Sequence, residues 1–102
     1  MKLLIVTAVE EFQKDVLKLF KQAGIEAFST SEIDGYKNGN SSLISAQSWF
    51  PGEKGGSGSL MVFSFTEETN IDAFFKLAAQ YNQNLESNNP VRAIVVPIER
   101  AL

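Results

Sequence analysis

The sequence predicts an α+β sandwich in which two helices cover one face of a four-stranded antiparallel sheet. Three observations predict this fold. Three short apolar runs and one imperfectly alternating segment are rich in strand-forming residues, two amphipathic segments have helical spacing, and a long glycine- and serine-rich segment lies mid-chain. The resulting order is strand, helix, strand, long loop, strand, helix, strand. This βαββαβ order is that of the ferredoxin-like fold.

Size and composition fit one domain over residues 1–102 and exclude several classes of protein. The chain is 44% apolar with a net charge of −3, which allows a real core but gives no basic stripe for nucleic acid. It has no cysteine and no histidine, so the usual soft-metal ligands are missing. No apolar run approaches the roughly 20 residues of a membrane span. No signal peptide is recognisable, and we expect a cytoplasmic protein that is not inserted into a membrane.

The first half of the chain predicts a strand, a helix and a second strand. Residues 2–9 are apolar nearly throughout, as in a strand buried on both faces. Acidic residues then suit the start of a helix, and Gly24 is expected to end that helix in the left-handed conformation. The second strand is predicted over residues 25–36.

The second half predicts a third strand, a second helix and a fourth strand. The third strand covers residues 60–65, and Thr66 is the expected N-cap of the helix that follows. Asn82 interrupts the apolar stripe of this helix. The fourth strand is predicted over 91–98, where Pro97 fits a strand end or an edge position.

The strands also predict an oligomer. The runs LLIV, LMVF and AIVV are apolar at every position, so both faces of the sheet need to be buried. The two helices cover one face, and the other face therefore requires partner subunits. A closed ring of copies with inward-facing sheets is the simplest solution.

The long segment over residues 38–59 is predicted to be a mobile loop that contacts a partner. Its Trp49, Phe50 and Pro51 form a docking tip or else fold back over the core or a neighbouring subunit. The glycine-rich residues 55–59 favour a hinge. A phosphate-binding nest is the alternative, but no strand precedes them and no helix follows.

Two parts of the chain resemble the PII nitrogen regulatory proteins. Residues 23–25 read A-G-I and residues 29–36 read STSEIDGY, similar to the family's A-G-I and T-x-T-E-V-x-G-F. The run IVVPIE at 94–99 is similar to its V-x-P-V-E ending, and the long loop occupies the place of its T-loop. The resemblance implies a non-catalytic homotrimeric signalling protein. Such a protein binds a small effector between subunits and docks on a membrane transporter or an enzyme through its loop.

The resemblance also implies effector-binding residues. Ser29 falls on the family's adenine-contacting threonine, Gly35 on its glycine, and Arg92 on the lysine of its phosphate loop. The glycine-rich phosphate loop itself is missing, because NLESNNPVR stands in its place. An adenine nucleotide is the candidate ligand that the resemblance leaves. Lys37, Arg92 and Arg100 either face an anionic ligand in the cleft or are solvated charges at strand ends.

Other interpretations stay open from the sequence alone. One is a metal-tolerance trimer, CutA-like or associated with an efflux pump. Another is a small ferredoxin-like enzyme, an isomerase or a cofactor-independent monooxygenase, with a roomy polar pocket between sheet and helices. No serine has a histidine to activate it, and no catalytic residue is predicted. Two acidic clusters suit a helix start better than a hard cation; they are Glu10, Glu11 and Asp15, and Glu67 with Glu68.

Overall fold

The computed structural model describes residues 1–35, 57–86 and 88–102. These residues form the predicted strands and helices in the predicted order, with a 3-10 turn before the first helix that was not predicted. In chain order they are strand β1 (Lys2–Val9), a 3-10 turn (Glu10–Phe12), helix α1 (Gln13–Gln22), strands β2 (Ser29–Gly35) and β3 (Ser57–Thr66), helix α2 (Glu68–Gln83) and strand β4 (Arg92–Pro97).

The four strands form one antiparallel sheet in the order β2-β3-β1-β4. The first strand is central, with Ile5 opposite both Phe63 of β3 and Ile94 of β4. The strands β2 and β4 are the two edges, which agrees with Pro97 at the end of β4. This arrangement confirms the predicted ferredoxin-like α+β fold.

The core lies between the sheet and the two helices. Alternate side chains of β1 and β3 point into it and meet the apolar stripes of α1 and α2. The rings of Phe20 and Phe74 pack with their centres 4.7 Å apart. The largest side chains that are fully buried are Leu4, Val6, Val16, Phe20, Val62 and Phe74. Each stabilises the fold by roughly 1.5–3 kcal/mol, and together they form the centre of the core.

The other face of the sheet is largely apolar, and neither helix covers it. We call it the open face. Phe65 is 56% exposed there, Ile94 42% and Val96 36%, and Leu3, Ile5 and Phe63 are half-buried beside them. These exposed apolar side chains agree with the prediction that β1, β3 and β4 are apolar on both faces.

The start of β2 differs from the prediction. The strand begins at Ser29, because Ile25 turns into the core directly after the helix ends. The carbonyl oxygen of Ala27 accepts a hydrogen bond of 2.6 Å from the Ser64 hydroxyl. Gly24 has φ 78°, which confirms the left-handed helix end.

Two predictions around β3 were wrong. The strand begins at Ser57, so residues 57–59 belong to the sheet and not to the predicted loop or hinge. At its other end, Thr66 is the last strand residue, and Glu67 takes the N-cap position of α2 without a side-chain cap bond. In the described ranges, no helix is long and apolar enough to cross a membrane.

Candidate functional site

The base of the predicted docking segment is defined by the β2–β3 ladder. Gly35 lies opposite Ser57, so the chain leaves and re-enters the sheet at adjacent positions, about 5 Å apart. Four predicted contact residues fall between these positions, outside the described residues, and their roles stay predictions. They are Lys37, Trp49, Phe50 and Pro51.

Three of the predicted effector residues lie on opposite edges of the sheet. Ser29 is exposed at the start of β2, opposite Phe63, and the buried Gly35 ends that strand. Arg92 begins β4, opposite Thr7. The edges β2 and β4 are three strand spacings apart, about 14 Å. A single chain therefore does not bring Ser29 and Arg92 together.

Arg100 lies towards the other end of β4. Arg92 and Pro97 are five residues apart along the strand, about 17 Å, and Arg100 follows Pro97. It is exposed and lines an open apolar groove with Met1 and Phe65. Within one chain, Arg100 and Arg92 do not form a common anion site.

Arg92 has the clearest site geometry among the predicted residues. Ala93 and Val95 pack against the core, so strand alternation puts Arg92 on the open face. Its Nε atom is buried and has no hydrogen-bond partner within the described parts of the chain. A guanidinium is always charged and only donates hydrogen bonds. An unpaired buried donor costs roughly 1–3 kcal/mol, so an anion that accepted this hydrogen bond would recover that cost.

The neighbours of Arg92 on the open face are mixed in polarity. The strand register sets Arg92, Thr7, Met61 and Ser31 in one row across the sheet. The next row is apolar, apart from Ser29 at its β2 end. Arg92 therefore lies where the apolar part of the face gives way to hydroxyl groups, a setting that suits a small anion beside an apolar group.

Asn82 contributes to this region in a way that the sequence pattern did not predict. Its Nδ2 donates to the Val91 carbonyl oxygen and its Oδ1 accepts from the Val91 N–H, both at 2.9 Å. The residue is not a break in an apolar stripe but a link from the last turn of α2 to the residue before β4. The sequence did contain a sign of this link: an amide on the apolar side of a helix, where it is partly buried and therefore requires hydrogen-bond partners.

Several acidic residues considered for a cation have other contacts. The Asp15 carboxylate accepts a hydrogen bond of 2.7 Å from the Tyr81 hydroxyl. Glu67 lies 3.6 Å from the N-terminal amine, and Glu68 lies 3.2 Å from Lys2 Nζ. Residues 1–35, 57–86 and 88–102 contain no group of three or more metal-ligating side chains.

Comparison with solved structures identifies the fold. The chain matches CPII, a nitrogen regulatory PII-like protein from Thiomonas intermedia K12 bound to ADP, AMP and bicarbonate, with a TM-score of 0.62. That match covers 99% of this chain and 94% of CPII, at 12% sequence identity. The chain has the PII-like fold.

A second PII-like structure gives the same result. It is a protein of Thermus thermophilus assigned as a PII-like signalling protein, with a TM-score of 0.59 and 15% identity. The match covers 95% of this chain and 85% of that one. No family model and no curated protein matches the sequence. The resemblance predicted from the sequence is thus confirmed at the level of the fold.

Proposed function

We propose that this protein is a PII-like trimeric regulator. Three copies bury their open faces against one another, a small anionic effector binds in the clefts between them, and the 38–59 segment docks on a membrane transporter or an enzyme. The observation that carries the proposal is the open face, with Phe65, Ile94 and Val96 exposed on a sheet that helices cover on one side. Burial of such apolar surface between copies would stabilise the assembly by about 25 cal/mol for each Å² removed from water.

The placement of the effector residues supports a cleft between subunits. Ser29 and Gly35 lie on the β2 edge and Arg92 on the β4 edge, at opposite sides of one sheet. A neighbouring copy whose β4 edge adjoins β2 would bring the three residues to a common cleft. Such a site is incomplete in one chain and complete in the assembly.

The proposed effector is an anion of the adenine nucleotide class, with bicarbonate as a smaller alternative. CPII, which has the same fold, is bound to ADP, AMP and bicarbonate. Arg92 supports an anion here because its Nε donor is buried and unpaired within the described residues. The effector must bind one arrangement of the protein better than another if it is to regulate docking.

Light scattering at micromolar concentration tests the assembly. We expect a mass of three copies of the 11.2 kDa chain. A mass of one copy, in a sample that unfolds cooperatively, would overturn the trimer and the intersubunit cleft with it.

Calorimetry tests the effector, with ATP, ADP, AMP, cyclic AMP and bicarbonate each titrated into the protein. We expect binding of at least one of them, and a large loss of affinity in Arg92→Ala. Lys76→Ala is the matched control, because Lys76 is an exposed cation on α2. Absence of binding by all five would remove the effector from the proposal and leave the trimer to its own test.

Affinity capture tests the docking segment by comparing the intact protein with a Trp49→Ala, Phe50→Ala double variant. We expect the variant to lose a partner that the intact protein retains. If both capture the same partner equally, the aromatic pair is not the contact.

A further inference from the structure

The amide of Asn82 holds the backbone on which the Arg92 guanidinium depends. It bonds to both the N–H and the carbonyl oxygen of Val91, at 2.9 Å each. Two bonds from one planar amide to one residue fix the direction of the chain as well as its position. The residue that follows Val91 is Arg92, the first residue of β4.

The side chain of Val91 is fixed at the same point. It is 4% exposed and belongs to the core cluster. Because strand side chains alternate, a residue held on the helix side at Val91 sends Arg92 to the open face. There the Arg92 backbone lies opposite Thr7 of the central strand. The chain is therefore fixed immediately before and at the arginine.

The position of Arg92 matters because its Nε–H can still donate a hydrogen bond to a ligand. The Nε atom is buried and lacks a hydrogen-bond partner within residues 1–35, 57–86 and 88–102. A ligand that binds a group already held in place loses less free energy to ordering it. The connector ahead of β4, NLESNNPV, has no glycine from which to build a backbone cradle for an anion.

We infer that Asn82 is a positioning residue for effector binding: its amide fixes Val91 and thereby presents the Arg92 guanidinium to an anion at the β4 edge. The inference rests on the proposed function and adds a residue to it. Asn82 does not touch the effector. It acts through the two bonds to the Val91 backbone.

Asn70 provides a matched control on the same helix. Its Nδ2 donates to the carbonyl oxygens of Ala23 and Gly24, both at 3.2 Å. It thus makes the same kind of contact, amide to backbone, from the first turn of α2. Asn70 lies 12 residues from Asn82, about 18 Å along the helix. Loss of either amide removes two such bonds, but only one pair is next to Arg92.

The experiment measures the affinity of ADP, AMP and bicarbonate for the wild type and for Asn82→Ala, Asn70→Ala and Arg92→Ala. We expect Asn82→Ala to weaken binding about tenfold, in the direction of Arg92→Ala, and Asn70→Ala to leave it unchanged. Asn82→Asp, which keeps the acceptor for the Val91 N–H, is the second variant if Asn82→Ala does not fold. The rate at which the Arg92 Nε–H exchanges with water is measured in the same proteins. It should rise in the Asn82 variants and not in Asn70→Ala.

The outcomes separate this inference from the function on which it rests. If Arg92→Ala weakens binding and the Asn82 variants do not, Asn82 is not a positioning residue and the proposed effector site stands. Equal losses in the Asn82 and Asn70 variants would assign the effect to general stability and overturn the inference. If the wild type binds none of the three anions, the effector site and the inference both fail.

Discussion

Single side chains join the two helices of the outer layer, and Tyr81 is the clearest case. Its hydroxyl donates to Asp15 of α1 at 2.7 Å, and its ring packs edge-on against Phe12 with the ring centres 6.2 Å apart. Burial, and then the hydrogen bond to Asp15, raise the pKa of Tyr81 to about 12. The folded protein therefore favours the neutral phenol.

This pKa predicts a loss of stability in alkali. The folded-state pKa lies above the ordinary value of 10, so the contribution is complete below pH 10 and is lost as the pH rises through about 12. We expect Tyr81→Phe to lower the free energy of unfolding by about 1 kcal/mol at neutral pH. Its stability should also fall less steeply than that of the wild type between pH 10 and 12. Urea unfolding across that range measures both, and identical pH slopes would contradict the assignment.

Gly24 carries a second prediction at this scale. Its φ is 78°, and a Cβ placed there would lie 3.0 Å from Asn70 Nδ2. We expect Gly24→Ala to lower the free energy of unfolding by roughly 1–2 kcal/mol, because the left-handed conformation is strained for alanine. Gly58→Ala is the control. A Cβ at Gly58 would lie 3.1 Å from the end of the flexible Glu10 side chain, which can move. We therefore expect a smaller loss of unfolding free energy in urea.

Gly24 and Asn82 show which residue roles the sequence could give. The first follows from a short-range rule, a glycine directly after a helical stripe, and it was confirmed. The second depends on a bond between residues nine apart, across a connector of no regular period. Periodicity reports which face a residue occupies. It does not report which backbone group its amide will reach.

At the scale of elements, β1 and β3 hold the rest together. They are the two inner strands, and β3 also contacts the chain ahead of β2 through Ser64, near its C-terminal end. The buried Ser64 hydroxyl donates to the Ala27 carbonyl oxygen at 2.6 Å. This bond lets the connection from α1 run beside the sheet before its first strand pair, Ser29 with Phe63.

Removal of the Ser64 hydroxyl should therefore loosen the entry to β2. We expect Ser64→Ala to lower the free energy of unfolding by about 1–2 kcal/mol, because a part-buried carbonyl loses its donor. Ser31→Ala is the matched control, since the Ser31 hydroxyl is exposed, and its effect should stay within about 0.5 kcal/mol. Equal losses in urea unfolding would show that the Ser64 bond has no special role.

The sequence predicted the type and order of the strands and α-helices, but it missed the 3-10 turn at Glu10–Phe12 and some of the element ends. The strands β1 and β4 could be predicted because a short continuous apolar run is typical of a buried strand. The extra residues of β3, Ser57 to Ser59, have poor strand propensity and are ordered by pairing with Gly35 to Ile33. Propensity gives way to tertiary pairing in such places. The early start predicted for β2 was wrong because Ile25 turns into the core after the helix and does not pair in the sheet.

At the scale of the whole molecule, two layers leave one apolar face unpaired. The helices cover one side of the sheet, and the other side exposes Phe65, Ile94 and Val96. The sequence predicted this face, because three strands have apolar runs at consecutive positions and consecutive side chains point to opposite faces of the sheet. The proposed effector residues Ser29 and Arg92 lie on opposite edges, and this separation follows from the strand order and not from their spacing along the chain.

A charge on the open face should break the proposed assembly. We expect Ile94→Glu to reduce the mass in light scattering towards that of one copy, because a carboxylate would be buried without a partner. Phe75→Glu is the matched control. Phe75 lies on α2 and is 40% exposed, close to the 42% of Ile94, so its replacement should leave the mass unchanged. If both variants kept the wild-type mass, the open face would not be the interface.

The pairing of Gly35 with Ser57 has a consequence for how such a molecule can diversify. Gly35 and Ser57 are paired across the ladder, and each doubling of the length of a flexible connection between paired residues costs only about 0.6 kcal/mol. The segment proposed to dock on a partner could therefore be exchanged, lengthened or trimmed between these two residues while the sheet keeps its register. The same sheet and helices could in this way carry segments that bind unrelated partners.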